Sequence, residues 1–94
     1  MNIIFSELAE SDIEAIGDYI ARDNPHRAVT FIRDMRGHCR QITTMPKGFP
    51  LRHDISAGLR MASYRDYLIF YHETESAIRI ERILHGARDY TALF

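Results

Sequence analysis

Arg82, His85 and Arg88 recur at every third position near the end of the chain, and Asp89 follows the last of them. Two guanidiniums and an imidazole gathered at one strand end can grip a carboxylate or phosphate, and an imidazole can also take up a proton. Each has a simpler reading as well. Arg82 interrupts an apolar face, so it is expected either to pair with an acid such as Glu81 or Asp66 or to project from the sheet rim; the ion pair is favoured. His85 follows two apolar residues and reads first as a satisfied rim histidine, because no neighbouring serine or cysteine stands in a nucleophile motif. Arg60 and Arg65 flank a strand turn and could anchor a partner's carboxylate or phosphate, or serve only as solvated strand-end charges.

Composition narrows the chemistry further. Cys39 is the only cysteine, which excludes an intrachain disulfide or a paired-cysteine metal knuckle, and its place in a helical apolar pattern reads as a buried thiol. His26, His38, His53 and His72 are scattered without metal-ligand spacing, so neither a metal nor a cofactor is expected. The net charge of -1 lacks the basic excess that binding through phosphates requires, and direct nucleic-acid binding is not expected. Of the 12 basic side chains only Lys47 is lysine; the rest are arginine, which favours planar contacts to carboxylates and is common in protein interfaces. The balance leans toward a protein partner. Tyr64, Tyr67, Tyr71 and Tyr90 read as core or sheet-face aromatics, since an RNA-stacking platform would want basic charge around them. No apolar run approaches the roughly 20 residues of a membrane helix. The opening MNIIFSELAE has neither a basic leader nor a small-residue cleavage site, which makes the cytoplasm the default expectation.

The elements that must position these groups follow from periodicity. A chain of 94 residues is expected to form a single domain over 1–94. Asn2 to Phe5 is a short apolar run that reads as an inner strand. Ser6 stands as a helix N-cap, and Ala9, Ile13, Ile16 and Ile20 make one stripe of a helix ending near Arg22 or Asp23, with Asp12 and Glu14 mostly off it. Asn24-Pro25 stops that helix and starts another, striped by Ala28, Ile32, Met35, Cys39 and Ile42 and ending near Met45-Pro46. So short a link predicts an antiparallel hairpin. Lys47 to Gly58 is irregular. Leu59–Tyr64, Tyr67–His72 and the stretch from Ala77 read as a three-strand meander, the last strand covered on both faces at Ile83-Leu84. The order predicts an α+β fold: an N-terminal strand, and the helical hairpin packed on a mainly antiparallel curved sheet. Ile69, Tyr71, Ile78, Ile80 and Leu84 are the candidates for the helix-facing side.

Three stretches carry a family resemblance: SELAESDIEAIGDYIARDNPHRAVTFI, DISAGLRMASYRDYLIFY and the closing IRIERILHGARDY. Together, in this order, they resemble the RelE/ParE toxin superfamily, and in particular its ParE branch. The resemblance implies the toxin of a type II toxin-antitoxin pair, involved in plasmid stabilisation, that inhibits DNA gyrase by protein contact and has no catalytic residues of its own. Arg82, His85, Arg88 and Asp89 are then the expected target-binding group. It also implies a ParD-like antitoxin bound as a hetero-oligomer, whose disordered segment folds into an apolar groove assigned here to Phe31, Phe49, Leu51 and Ile55. The RelE branch implies a different function, ribosome-dependent cleavage of messenger RNA, for which Arg60, Arg65 and Arg88 would be the basic residues. Against that branch, the expected lysine-rich segment is absent, and Phe94 ends the chain where a tyrosine would exchange a proton. A third alternative is a non-toxic binding protein of the same fold.

Overall fold

The computed structural model describes residues 1–94 in the order β1 (Asn2–Phe5), α1 (Glu7–Ala21), α2 (Pro25–Ile42), β2 (Arg60–Tyr64), β3 (Tyr67–Glu73), β4 (Ala77–His85) and a closing 3-10 turn (Tyr90–Leu93). Both helices start on the side chains expected of them. Ser6 Oγ accepts from the Ala9 N–H at 3.0 Å, and Asn24 Oδ1 accepts from the Arg27 N–H at 3.0 Å, with Pro25 at the first helical position. The hairpin is antiparallel: Glu10 meets Arg36, and Gly17 lies against Ile32. α2 stops at Ile42, a few residues before Met45-Pro46, where Thr43 caps it.

The sheet runs β1-β4-β3-β2, with β1 parallel to β4 and the other pairs antiparallel. β4 is therefore an inner strand. β1 is not: although Ile3, Ile4 and Phe5 are apolar it forms an edge, with Ile3 and Phe5 packed on the core and Ile4 46% exposed. The helical hairpin covers only one face of β1.

The alternation along β4 breaks at Glu81. Tyr71 pairs with Ile80 but Phe70 pairs with Arg82, so Glu81 is an extra residue and the strand changes phase there. Ile78, Ile80 and Ile83 consequently face the helices, joining Ile69, Tyr71 and Ala62 of the sheet, Ala9, Ile13 and Ile16 of α1, and Phe31, Met35, Cys39 and Ile42 of α2. Leu84, expected on that side, falls on the other face with Leu59 and Phe70. There it is covered by Ile55, Met61, Leu68 and the closing turn's Tyr90 and Leu93. The strand is thus covered on both faces at Ile83-Leu84.

The irregular segment before β2 is tied down by the sheet. Tyr71 Oη donates to the Pro46 carbonyl at 2.7 Å, and Arg60 donates to the carbonyls of Phe49 at 2.7 Å and Lys47 at 3.4 Å. Arg52 clasps Asp54 with two bonds of 2.9 and 2.8 Å and also donates to Tyr90 Oη, linking this segment to the closing turn.

Candidate functional site

β1 accompanies β4 only as far as Phe5 opposite Ile80, which leaves the next residues of β4 with an open edge. Polar groups at the start of α1 close it. The Ser6 N–H donates to the Ile80 carbonyl at 2.9 Å, and Ser6 Oγ donates to the Glu81 carbonyl at 2.7 Å. Six residues further along, Asp12 accepts the Ile83 N–H at 3.0 Å and takes both forks of the Arg82 guanidinium at 2.8 and 2.9 Å. The side chains of this pair are 13% and 12% exposed, and the hydrogen bond to Asp12 raises the Arg82 pKa above its ordinary value. Arg82 therefore makes the expected ion pair, with Asp12 in place of Glu81 or Asp66. Its donors are committed to holding α1 against β4.

Beside that clasp lies a cleft of about 260 Å³. α1 contributes Asp12, Ala15, Ile16 and Tyr19; the sheet end contributes Tyr67, Ile83, Leu84, His85 and Arg88. The His85 ring stands edge-on to Tyr67 with centroids 5.3 Å apart, and its Nδ1 accepts the Ala87 N–H at 3.1 Å. With Nδ1 accepting, the neutral ring carries its N–H at Nε2, which can serve as a hydrogen-bond donor. Burial raises the Tyr67 pKa, which keeps its hydroxyl protonated. Arg88 lines the cleft and has no carboxylate partner in the chain. Asp89 is exposed just beyond, accepting the Thr91 hydroxyl at 2.9 Å as the closing turn begins. The arrangement has an apolar floor, aromatic walls, one imidazole donor and one free guanidinium, which is equipment for holding a side chain.

The three arginines of the nuclease alternative do not converge. Arg65 lies at the β2–β3 turn, at the same end of the sheet as His85 and Arg88: Tyr67 pairs with His85, and the Gly86 N–H donates to the Asp66 carbonyl at 2.8 Å. Arg60 opens β2 at its opposite end, about 16 Å away by strand rise, and spends its donors on loop carbonyls.

The groove assigned to an antitoxin segment does not form as one surface. Phe31 is 7% exposed and belongs to the core, edge-on to Tyr64 and Tyr67, because it sits in the α2 stripe between Ala28 and Met35. Phe49 packs half-buried on the helix-side core against Tyr71, whereas Ile55 packs on the opposite face of the sheet. Leu51, 43% exposed, is the open one of the four. Asp12, Tyr19 and Tyr67 also line the cleft, though nothing in the sequence analysis singled them out for it. Asp12 carried a signal: at three residues after Ala9 and four before Ile16 it borders the apolar stripe, where a carboxylate needs a cation from another element.

No helix is long and apolar enough to cross a membrane. Among solved structures, a chain described as "Chromosomal ParDE TA system from P. aeruginosa" superposes with a TM-score of 0.78, covering 90% of this chain and 95% of that one at 19% identity, a likeness of fold. No curated protein matches the chain in sequence. The family model described as "ParE toxin of type II toxin-antitoxin system, parDE" matches residues 3–90. That match runs from β1 to the first residue of the closing turn, and the chain belongs to the ParE family of type II toxins.

Proposed function

We propose that the chain is the toxin of a ParDE-type pair, that it inhibits DNA gyrase by binding it, and that a ParD-like antitoxin holds it silent. The observation that carries this reading is the family match over residues 3–90, joined to a cleft whose groups suit binding. Asp12 is spent on Arg82, and His85 Nδ1 accepts the Ala87 N–H. Cleaving RNA would need a base and an acid placed on either side of a phosphate, and this cleft supports instead the capture of a partner's side chain. His85, Arg88 and Asp89 form the contact with the target, and Arg82 supports them through α1. The antitoxin's disordered segment folds onto the chain as a hetero-oligomer, with Leu51 as the exposed apolar residue of its contact surface.

Inducing the protein in cells that lack its antitoxin tests the reading. Filamentation with a DNA-damage response is the expected result. Rapid translation arrest with cut messages would overturn it in favour of a ribonuclease, and unimpaired growth would mark a binding protein without toxicity.

A further inference from the structure

A second cavity, about 370 Å³, opens where the start of α2 faces the β2–β3 turn, lined by Ile20, Arg27, Phe31, Arg65, Asp66 and Tyr67. Tyr67 also lines the first cleft, so the two hollows adjoin. Arg33, Arg36, Arg52, Arg79 and Arg82 are each paired with a carboxylate; Arg27 and Arg65, like Arg22, Arg40, Arg60 and Arg88, are not. Arg27 and Arg65 each lie over an aromatic ring instead. The Arg27 guanidinium lies 5.7 Å from the centroid of Phe31, and that of Arg65 lies 5.8 Å from the centroid of Tyr64. Guanidiniums placed over rings at this distance keep their N–H forks free for a further acceptor.

Arg65 also has an unfavourable backbone. Its φ of 54° lies in the left-handed region, where glycine or asparagine would sit without strain. It is the only non-glycine residue of the chain with positive φ. The turn keeps a strained arginine whose guanidinium meets no acid within the chain, and the use left to it is a group from outside.

We infer that this cavity is a docking site for a carboxylate side chain carried on an apolar segment of a partner protein. Two arginines against Asp66 leave one net positive charge, which complements a monocarboxylate. The apolar floor of Ile20, Phe31 and Tyr67 suits an adjoining hydrophobic residue. A nucleic-acid strand fits less well: its repeated phosphates would meet Asp66, and a chain of net charge -1 offers them no basic track. The site goes beyond the gyrase reading and stands whichever target the toxin has.

The test uses the full chain with two acetylated peptides, one alternating leucine and glutamate and the other leucine and glutamine, followed by NMR and calorimetry. The glutamate peptide is expected to saturate below about 1 mM, shifting the Ile20, Phe31 and Tyr67 signals, and to bind about ten-fold tighter than its glutamine counterpart. Arg27→Ala and Arg65→Gly should each weaken it by about ten-fold, whereas Arg40→Ala, at an exposed position elsewhere on α2, should not. Arg65→Gly separates folding from docking, because relief of the strained φ should raise Tm by roughly 5 °C while binding falls. Equal affinity for the two peptides, no saturation, tighter binding of a single-stranded oligonucleotide, or full binding by Arg65→Gly would overturn the inference.

Discussion

Replacing Asp12 by alanine removes three contacts together: the two forks of Arg82 at 2.8 and 2.9 Å and the Ile83 N–H at 3.0 Å. The guanidinium is then left nearly buried without a counter-charge, and one backbone donor at the open edge of β4 is left without an acceptor. Breaking a buried pair costs about 3–5 kcal/mol, and an orphaned donor costs about 1–3 kcal/mol, but the two losses share one site and do not add. Arg82 is long and lies at the sheet edge, so it can swing part-way into water. The expected cost is therefore about 3 kcal/mol, or roughly 15 °C in Tm for a domain of this size. Arg82→Met leaves Asp12 bonded to Ile83 and should cost less, about 1.5 kcal/mol. The double variant has no stranded charge, so adding Arg82→Met to Asp12→Ala should restore about 1 kcal/mol. Urea unfolding of the four proteins measures every corner of this cycle. A cost below about 1 kcal/mol for Asp12→Ala, or strict additivity in the double variant, would refute the idea that this pair fastens α1 to β4.

Burial pushes the Cys39 thiol up to about 12, so in the native protein it should resist iodoacetamide at about pH 8 while the urea-unfolded chain is labelled quickly; mass spectrometry distinguishes the two, and fast native labelling would contradict the buried placement. Tyr71 is likewise raised to about 12 by burial, and both groups have lower values once unfolded, 9.0 for the thiol and 10.0 for the phenol. Folding therefore favours their protonated forms: that stability is complete below about pH 9 and declines as pH rises toward about 12, which urea midpoints across the range would record as a fall, and a flat profile would contradict. Arg60→Ala should cost about 1.5 kcal/mol by freeing the Phe49 carbonyl, yet leave target inhibition intact in a growth assay; loss of toxicity with Tm unchanged would give Arg60 a role at the target.

The parts of this fold that were legible in the sequence are those decided locally. Ser6 and Asn24 cap their helices because a short polar side chain can reach a backbone N–H three residues on, and the Asn24-Pro25 break leaves too little chain for anything but a hairpin. The stripe of Ala9, Ile13 and Ile16, the meander, and the double covering of Ile83-Leu84 follow from period and residue type in the same way. What escaped is decided by pairing between distant segments. The extra residue at Glu81 arises from the register of β4 on β3, and it turns Leu84 to the far face and brings Arg82 into position for Asp12, 70 residues earlier. The run Ile3-Ile4-Phe5 reads as buried on both sides, but no element packs on the second side of β1, and a strand's own residues cannot report that. Phe31 was lost to the proposed groove for a simpler reason: it lies in the α2 stripe beside Ile32, and a stripe wide enough to meet a sheet takes both. At the site, His85 and Arg88 could be named from the sequence, but the cleft could not, because Tyr19 and Tyr67 reach it from other elements.

Gyrase poisoning and messenger cleavage are told apart with purified components: DNA gyrase, supercoiled plasmid and the protein, with ribosomes programmed with messenger RNA in a parallel reaction. Gyrase should accumulate as complexes on cleaved DNA, Arg88→Ala and His85→Ala should weaken this while remaining folded, and the messenger should stay whole. Cleavage of the ribosome-bound messenger, abolished by Arg88→Ala and accompanied by unaffected gyrase, would contradict gyrase poisoning.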